Sequence, residues 1–219
     1  MDTRPKASTA PRKRALSGCN IVVTRPEQQA RELADLIRAK GGCAILFPAL
    51  EIIEAQDLRP LHRLIGRLEQ FDLAIFISAN AVNRAMSEIV ARRDLPEKLK
   101  IAVIGAGSRK ALQRFGVKEV IYPASRFDSE ALLELPQLRD MAGKRIVIFR
   151  GQGGRELLGE TLEKLGARVE HVDCYRRAKP DADPAPLKRL WADDKLHAIT
   201  VTSSEGLRNL FEMMDETGR

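Results

Sequence analysis

The 219-residue chain is 44 % hydrophobic but only 5 % aromatic, and its formal charge is +7. That supplies one large or two small cores of Leu, Ile, Val and Ala, and too few aromatics among the basic residues to stack single-stranded bases. The apolar runs are far too short to span a bilayer, and the three dispersed cysteines form no CxxC pair, so a reduced, cytoplasmic protein with no metal, membrane or nucleic-acid partner is expected.

Within 1–17, Arg4, Lys6, Arg12, Lys13 and Arg14 face only Asp2 on a Pro/Ser/Thr/Ala background. This segment is expected to be a disordered basic tail, and it lacks the apolar stretch of a secretory signal. "NIVVTRP" (20–26) reads as a strand, and the spacing of Ala30, Leu33, Ala34 and Ile37 predicts a helix ended by Gly41-Gly42. "CAILFPALEII" (43–53) is an extended run containing Pro48. Further strands are "FDLAIFI" (71–77), "KIAVIG" (100–105), "KEVIYP" (118–123), "KRIVIFR" (144–150), "ARVEHVDCY" (167–175) and "HAITVTS" (197–203). Helices are predicted from about Ala79, Ser108, Ser129, Gly154 and Ser204, and Lys179–Pro186 reads as a linker.

Near-continuous apolar strands alternating with helices imply parallel sheets covered on both faces. "FISANAV" (76–82) has a near echo in "VTSSEGL" (201–207), as an internal duplication would leave. The predicted fold is therefore two flavodoxin-like α/β domains, each a three-layer α/β/α sandwich, joined by two extended crossings near 48–54 and 175–180. The first domain is discontinuous, 18–52 with 176–219, and the second spans 53–175. Strand order 2-1-3-4-5 is expected in the second. The first has three strands and reads as C-terminally truncated, since the chain stops just after a helix.

Ligands of open α/β sheets bind beyond the carboxyl ends of the strands. Those ends read Thr24-Arg25-Pro26, Ser78-Ala79-Asn80-Ala81, Gly105-Ala106-Gly107-Ser108, Arg150-Gly151-Gln152-Gly153-Gly154 and Ser203-Ser204-Glu205-Gly206. Each puts small or hydroxyl residues at a helix N-terminus, where amides and the helix dipole favour an anion. For any one tip an ordinary cap is the competing explanation, and the glycines can serve a turn with positive φ instead of close ligand approach. GxGxxG fails at Lys110 and at Glu156, and no GxxxxGK[ST] occurs. The expected ligand is an anion that is neither a dinucleotide nor a triphosphate.

"VTRP", "FISANAV", "VIGAGSRKAL", "IVIFRGQGGRELL", "VDCYRR" and "VTSSEGL", in that order from Asn20 onward, resemble the uroporphyrinogen-III synthase family. The resemblance implies an enzyme of haem biosynthesis that closes hydroxymethylbilane with inversion of the final pyrrole ring, without cofactor or metal, in a cleft between two domains. It implies a monomer that receives its substrate from the preceding pathway enzyme. Tyr175 matches a tyrosine with a suspected acid role; a phenol that only packs at the domain junction is the alternative. Ser108 matches a serine or threonine facing the cleft, Ser203 or Ser204 faces it from the other domain, and Arg25, Ser78, Asn80, Arg150, Gly151 and Gly153 complete the expected binding set. The rival function is a non-catalytic anion-binding α/β module.

Overall fold

The computed structural model describes residues 14–154 and 156–215. In chain order its elements are β1 (Asn20–Val23), α1 (Glu27–Ala39), β2 (Cys43–Leu46), β3 (Glu51–Glu54), α2 (Arg59–Ile65), β4 (Leu73–Phe76), α3 (Ala79–Val90), β5 (Lys100–Val103) and α4 (Ala106–Arg114). There follow α5 (Ser129–Leu133), β6 (Arg145–Gly151), α6 (Leu157–Lys164), β7 (Arg168–Ala178), α7 (Ala185–Ala192), β8 (Ala198–Thr200) and α8 (Ser204–Asp215). They fall into two compact units, one drawn from Met1–Glu51 and Ala178–Arg219, the other from Ile52–Arg177. Among the described residues no helix is long and apolar enough to cross a membrane.

In the first unit β1 lies between β2 and β8, parallel to both. Alternation along β1 sends Ile21 and Val23 to a core with Ala30 and Ile37 of α1, and Val22 to a core with Phe47, Leu187, Leu210 and Met213. The apolar stripe of α1 buries Ala30, Ala34 and Ile37, and the helix ends where Gly41 takes φ +88° and the Gly42 amide donates to Ile37 O at 3.0 Å. Residues 1–13 of the expected basic tail lie outside the described residues. Residues 14–17 correct that expectation: they form a turn, Ser17 N–H to Arg14 O, tied to the end of α1 by Leu16 N–H to Lys40 O, both at 3.0 Å. The expected linker is also shorter, because Ala185 already opens α7.

The second unit holds a sheet of order β3-β7-β6-β4-β5, with β7, β6, β4 and β5 paired in parallel. "KEVIYP" contributes only a bridge, Ile121 to Ala102, beyond β5. Exposed Lys118 and Glu119 precede that bridge, and Pro123, which has no amide to donate, follows. Counting it, the five predicted strands run 3-2-1-4-5 in sequence labels, with β3 added beyond β7, so the expected order 2-1-3-4-5 is wrong. The chain steps outward from β4 to β5, then returns to lay β6 on the other side of β4.

Alternate residues of β4 and β6 serve the two faces. Ala74, Phe76, Val147 and Phe149 pack under α2, α3 and α4, while Leu73, Ile75, Ile146 and Ile148 pack under α5 and α6. Phe76 and Phe149 are fully buried and stacked at 4.6 Å between centroids, an arrangement worth about 0.5–1.5 kcal/mol beyond its area.

Candidate functional site

The return of the chain at β4 and β6 makes their junction the topological switch point of the second unit, where crevices form at strand carboxyl ends. Three tips meet there. Ser78, directly after β4, adopts extended backbone and caps α3, its Oγ accepting the Ala81 amide at 3.1 Å. Gly151 ends β6, and Tyr175 lies near the end of β7, two strands from β4.

Tyr175 reaches Ser78 because β7 carries one extra residue. Register runs Arg150 to Asp173 and then Gly151 to Tyr175, skipping Cys174. Such a bulge re-aims a side chain. Here it turns the consecutive Cys174 and Tyr175 to one face, into the core under α3. The phenol then crosses the end of β6 and places Oη 3.1 Å from Ser78 Oγ. Only glycine fits beneath it: a β-carbon on Gly151 would stand 2.5 Å from Tyr175 Cζ. The Gln152 amide donates to Tyr175 O at 2.9 Å, and Gly153 turns the loop with φ +73°. Gly151 thus makes room for the tyrosine, and Gly153 turns the loop.

Arg150 faces the other side of the sheet. Its Nε donates to Asp173 Oδ1 at 3.1 Å and its Nη1 to Glu156 Oε1 at 2.7 Å. Burial works against its charge, but the two carboxylates hold its pKa above the usual arginine value, and Arg150 draws Glu156 below the carboxylate range. Two carboxylates thus occupy the guanidinium before any anionic ligand arrives. It lines a cavity of about 340 Å³ with Ile77, Ile104, Ser129, Leu158 and Arg177, the lower end of the size of small-molecule sites. A larger concavity of about 990 Å³, lined by Leu95, Lys100, Phe115 and Lys118, lies at the amino end of β5. Strand topology favours the carboxyl ends.

The remaining predicted residues are spread over this tip and others. Asn80 stands in the first turn of α3. Ser108 is not at a helix start as expected: α4 begins at Ala106, and Ser108 is buried in its first turn. In the first unit, Thr24 Oγ1 donates to Thr200 O at 2.6 Å, tying the ends of β1 and β8. Arg25 follows with its Nε buried and without a hydrogen bond among the described residues. Ser203 repeats the Ser78 cap, accepting the Gly206 amide at 3.0 Å, and Ser204 is exposed beside it. Sequence reasoning missed Asp173 and Glu156 as partners of Arg150; β7 carries Glu170 and His171 as well as Asp173, so no local signal marked the pairing. It also missed Arg109, whose Nη1 donates to Tyr122 Oη at 2.6 Å.

A buried phenol aligned on a hydroxyl, at the rim of a parallel sheet and beside a helix N-terminus, can deliver a proton to a ligand held there. Cys174 cannot act as a nucleophile alongside it, since burial pushes its thiol up to about 12. A family model described as uroporphyrinogen-III synthase HemD matches residues 31–219. A uroporphyrinogen-III synthase of Escherichia coli is 35 % identical over 198 residues, 90 % of this chain and 80 % of that protein. The chain belongs to the uroporphyrinogen-III synthase family.

The Salmonella typhimurium uroporphyrinogen-III synthase is 36 % identical over 89 % of this chain and 79 % of its own length. The backbone also resembles the crystal structure of a mutant uroporphyrinogen III synthase from the extremely thermophilic bacterium Thermus thermophilus, with TM-score 0.61 at 20 % identity, over 89 % of this chain and 77 % of that one. The likeness is one of fold: α/β with parallel-dominated sheets.

Proposed function

We propose that the protein is a uroporphyrinogen-III synthase that cyclises hydroxymethylbilane with inversion of its last pyrrole ring. The observation that carries the mechanism is the Tyr175 phenol, 5 % exposed and held 3.1 Å from Ser78 Oγ at the rim of the second unit. Loss of the substrate hydroxyl needs an acid close to the leaving oxygen. Tyr175 donates its proton, the C–O bond breaks with its electron pair on oxygen, and water departs to leave a cationic azafulvene. That carbon is attacked by the substituted carbon of the terminal ring, and the spiro intermediate rearranges and closes. The proton released as the last pyrrole regains aromaticity balances the one spent on water. Positioning does the rest, because an unheld linear tetrapyrrole closes without inversion.

Acetate and propionate groups on every ring suit helix N-termini, where Ser78, Asn80, Ser203 and Ser204 stand, with Arg25 as a further cation. Arg150, already paired, contributes to shape and rigidity. In this reading the protein is a cytoplasmic monomer that takes its labile substrate directly from the enzyme that makes it. Family membership disfavours the rival anion-binding module.

The test supplies fresh hydroxymethylbilane and separates the oxidised isomers. Isomer III is expected; isomer I alone would sink the enzyme reading. Tyr175→Phe is expected to lower kcat about 10²–10⁴-fold, the usual contribution of a general acid. A change below threefold would reduce Tyr175 to a packing residue.

A further inference from the structure

Ser78 caps α3, and its geometry gives it a second task. Its oxygen already accepts the Ala81 amide at 3.1 Å. A serine hydroxyl has one proton and two acceptor positions. The Tyr175 oxygen, 3.1 Å away, is the acceptor that the described residues offer to the Ser78 proton. If the phenol instead donated to Ser78, both acceptor positions of Oγ would be filled and the described residues would offer the serine proton no acceptor at this site. The phenol's proton would also be directed at Ser78 and away from a bound ligand.

We infer that Ser78 is a positioning residue: it donates Oγ–H to Tyr175 Oη, so that the phenol's own proton points away from the protein and toward the leaving hydroxyl. The inference rests on the reading of Tyr175 as the acid. As the proton leaves, negative charge grows on Oη, and a hydrogen bond to a charged acceptor is stronger than one to a neutral acceptor. Ser78 therefore helps more in the transition state than in the ground state, which is the condition for raising kcat. Gly151 completes the device by leaving a slot that the ring can cross: a β-carbon there would come within 2.5 Å of Cζ, so any side chain displaces the phenol. The α3 amide on the far side of Oγ makes the serine a better donor, since hydrogen bonds in a chain polarise one another.

Capping and proton orientation are separable by substitution. Glycine replaces serine at an N-cap at a cost of only a few tenths of a kcal/mol, so Ser78→Gly removes the hydroxyl and nearly spares the helix. Ser78→Thr keeps the hydroxyl, and the extended backbone at this position, φ −157° and ψ 161°, suits a β-branched residue. Ser78→Gly is expected to lower kcat by about ten- to a hundredfold, the range of a charge-assisted hydrogen bond, with KM changed less than threefold. Ser78→Thr is expected to restore kcat to within about threefold. Adding Ser78→Gly to Tyr175→Phe is expected to cost nothing further, because the group it serves is already gone. A spectroscopic arm is independent of activity. The chain has two tyrosines, so in a Tyr122→Phe background the Raman tyrosine doublet reports Tyr175 alone and is expected to show a phenol oxygen accepting a strong hydrogen bond.

The outcomes divide cleanly. A silent Tyr175→Phe overturns the acid reading and this inference together. A damaging Tyr175→Phe with a silent Ser78→Gly overturns the inference alone. A Ser78→Gly loss that persists in full on the Tyr175→Phe background, or that falls on KM, returns Ser78 to direct contact with substrate and overturns it. A doublet of a donating phenol does the same.

Discussion

A β-carbon on Gly159 of α6 would collide with His171 Nε2. Glycine inside a helix normally costs about 0.5–1 kcal/mol against alanine, so Gly159→Ala would ordinarily stabilise. Here it is expected to destabilise by about 1–3 kcal/mol through overpacking, and His171→Ala in the same chain should relieve most of that loss in a denaturant melt. His171 is itself a pH-dependent contributor. Burial first, and then the Arg150 charge, hold its pKa below the ordinary 6.5, against the pull of Glu156, Glu163 and Asp173. The unfolded chain therefore binds the proton at a higher pH than the folded one, so stability rises with pH across the interval between the two values. The contribution is complete above about 6.5 and is lost as pH falls through the lower, folded value. Denaturant midpoints at about pH 7.5 and about pH 5.5, on either side of the ordinary histidine value, should show a drop in the parent chain and a smaller one in His171→Gln; equal drops would place the effect elsewhere.

Helix caps and a bulge carry the site at the next scale. Ser78 and Ser203 cap α3 and α8 with the same bond, at 3.1 and 3.0 Å. Ser203→Ala is expected to cost about 0.5–2 kcal/mol of stability, read as a lower melting temperature, with Ser203→Thr nearly neutral. These caps were legible, because a serine between an apolar run and a helix-spaced pattern is a local signal. The α/β class was legible for the same reason: apolar strand runs and three-to-four spacing are properties of neighbours in sequence. Tyr175 facing Ser78 was not. It depends on the residue skipped at Cys174, and nothing in "VDCYRR" distinguishes a bulged strand from a regular one, since both faces of that stretch contain residues a core accepts. Strict alternation from Val172 would have sent Tyr175 to the side of Asp173 and Arg150. The slot at Gly151 was not legible either, because the side chain that fills it comes from 24 positions away. The strand order failed similarly, as short connections fix which elements exist but not on which side of β4 the returning β6 is laid.

At the scale of the whole molecule, the second unit owns two apolar cores drawn from 52–175, one on each face of its sheet. A fragment of 52–177 is therefore expected to fold alone, with a cooperative melt and dispersed amide spectrum; a molten fragment lacking a heat-absorption peak would show that it depends on the rest of the chain. The first unit is built otherwise. Its central strand β1 pairs with β8, so that Ile21 lies against Ala198 and the Asn20 amide donates to His197 Nδ1 across 177 positions. During synthesis from the N-terminus, β1, α1 and β2 emerge first but lack the strand that flanks β1, whereas the second unit is complete before β8 leaves the ribosome. The sheet of the first unit is thus finished only after the second unit has been made. Until then β1 has an unpaired edge, a template for another nascent chain. Pulse-labelled hydrogen exchange during refolding should find β4 and β6 amides protected before those of β1, and aggregation should be most sensitive to delays that hold synthesis between residues 177 and 200.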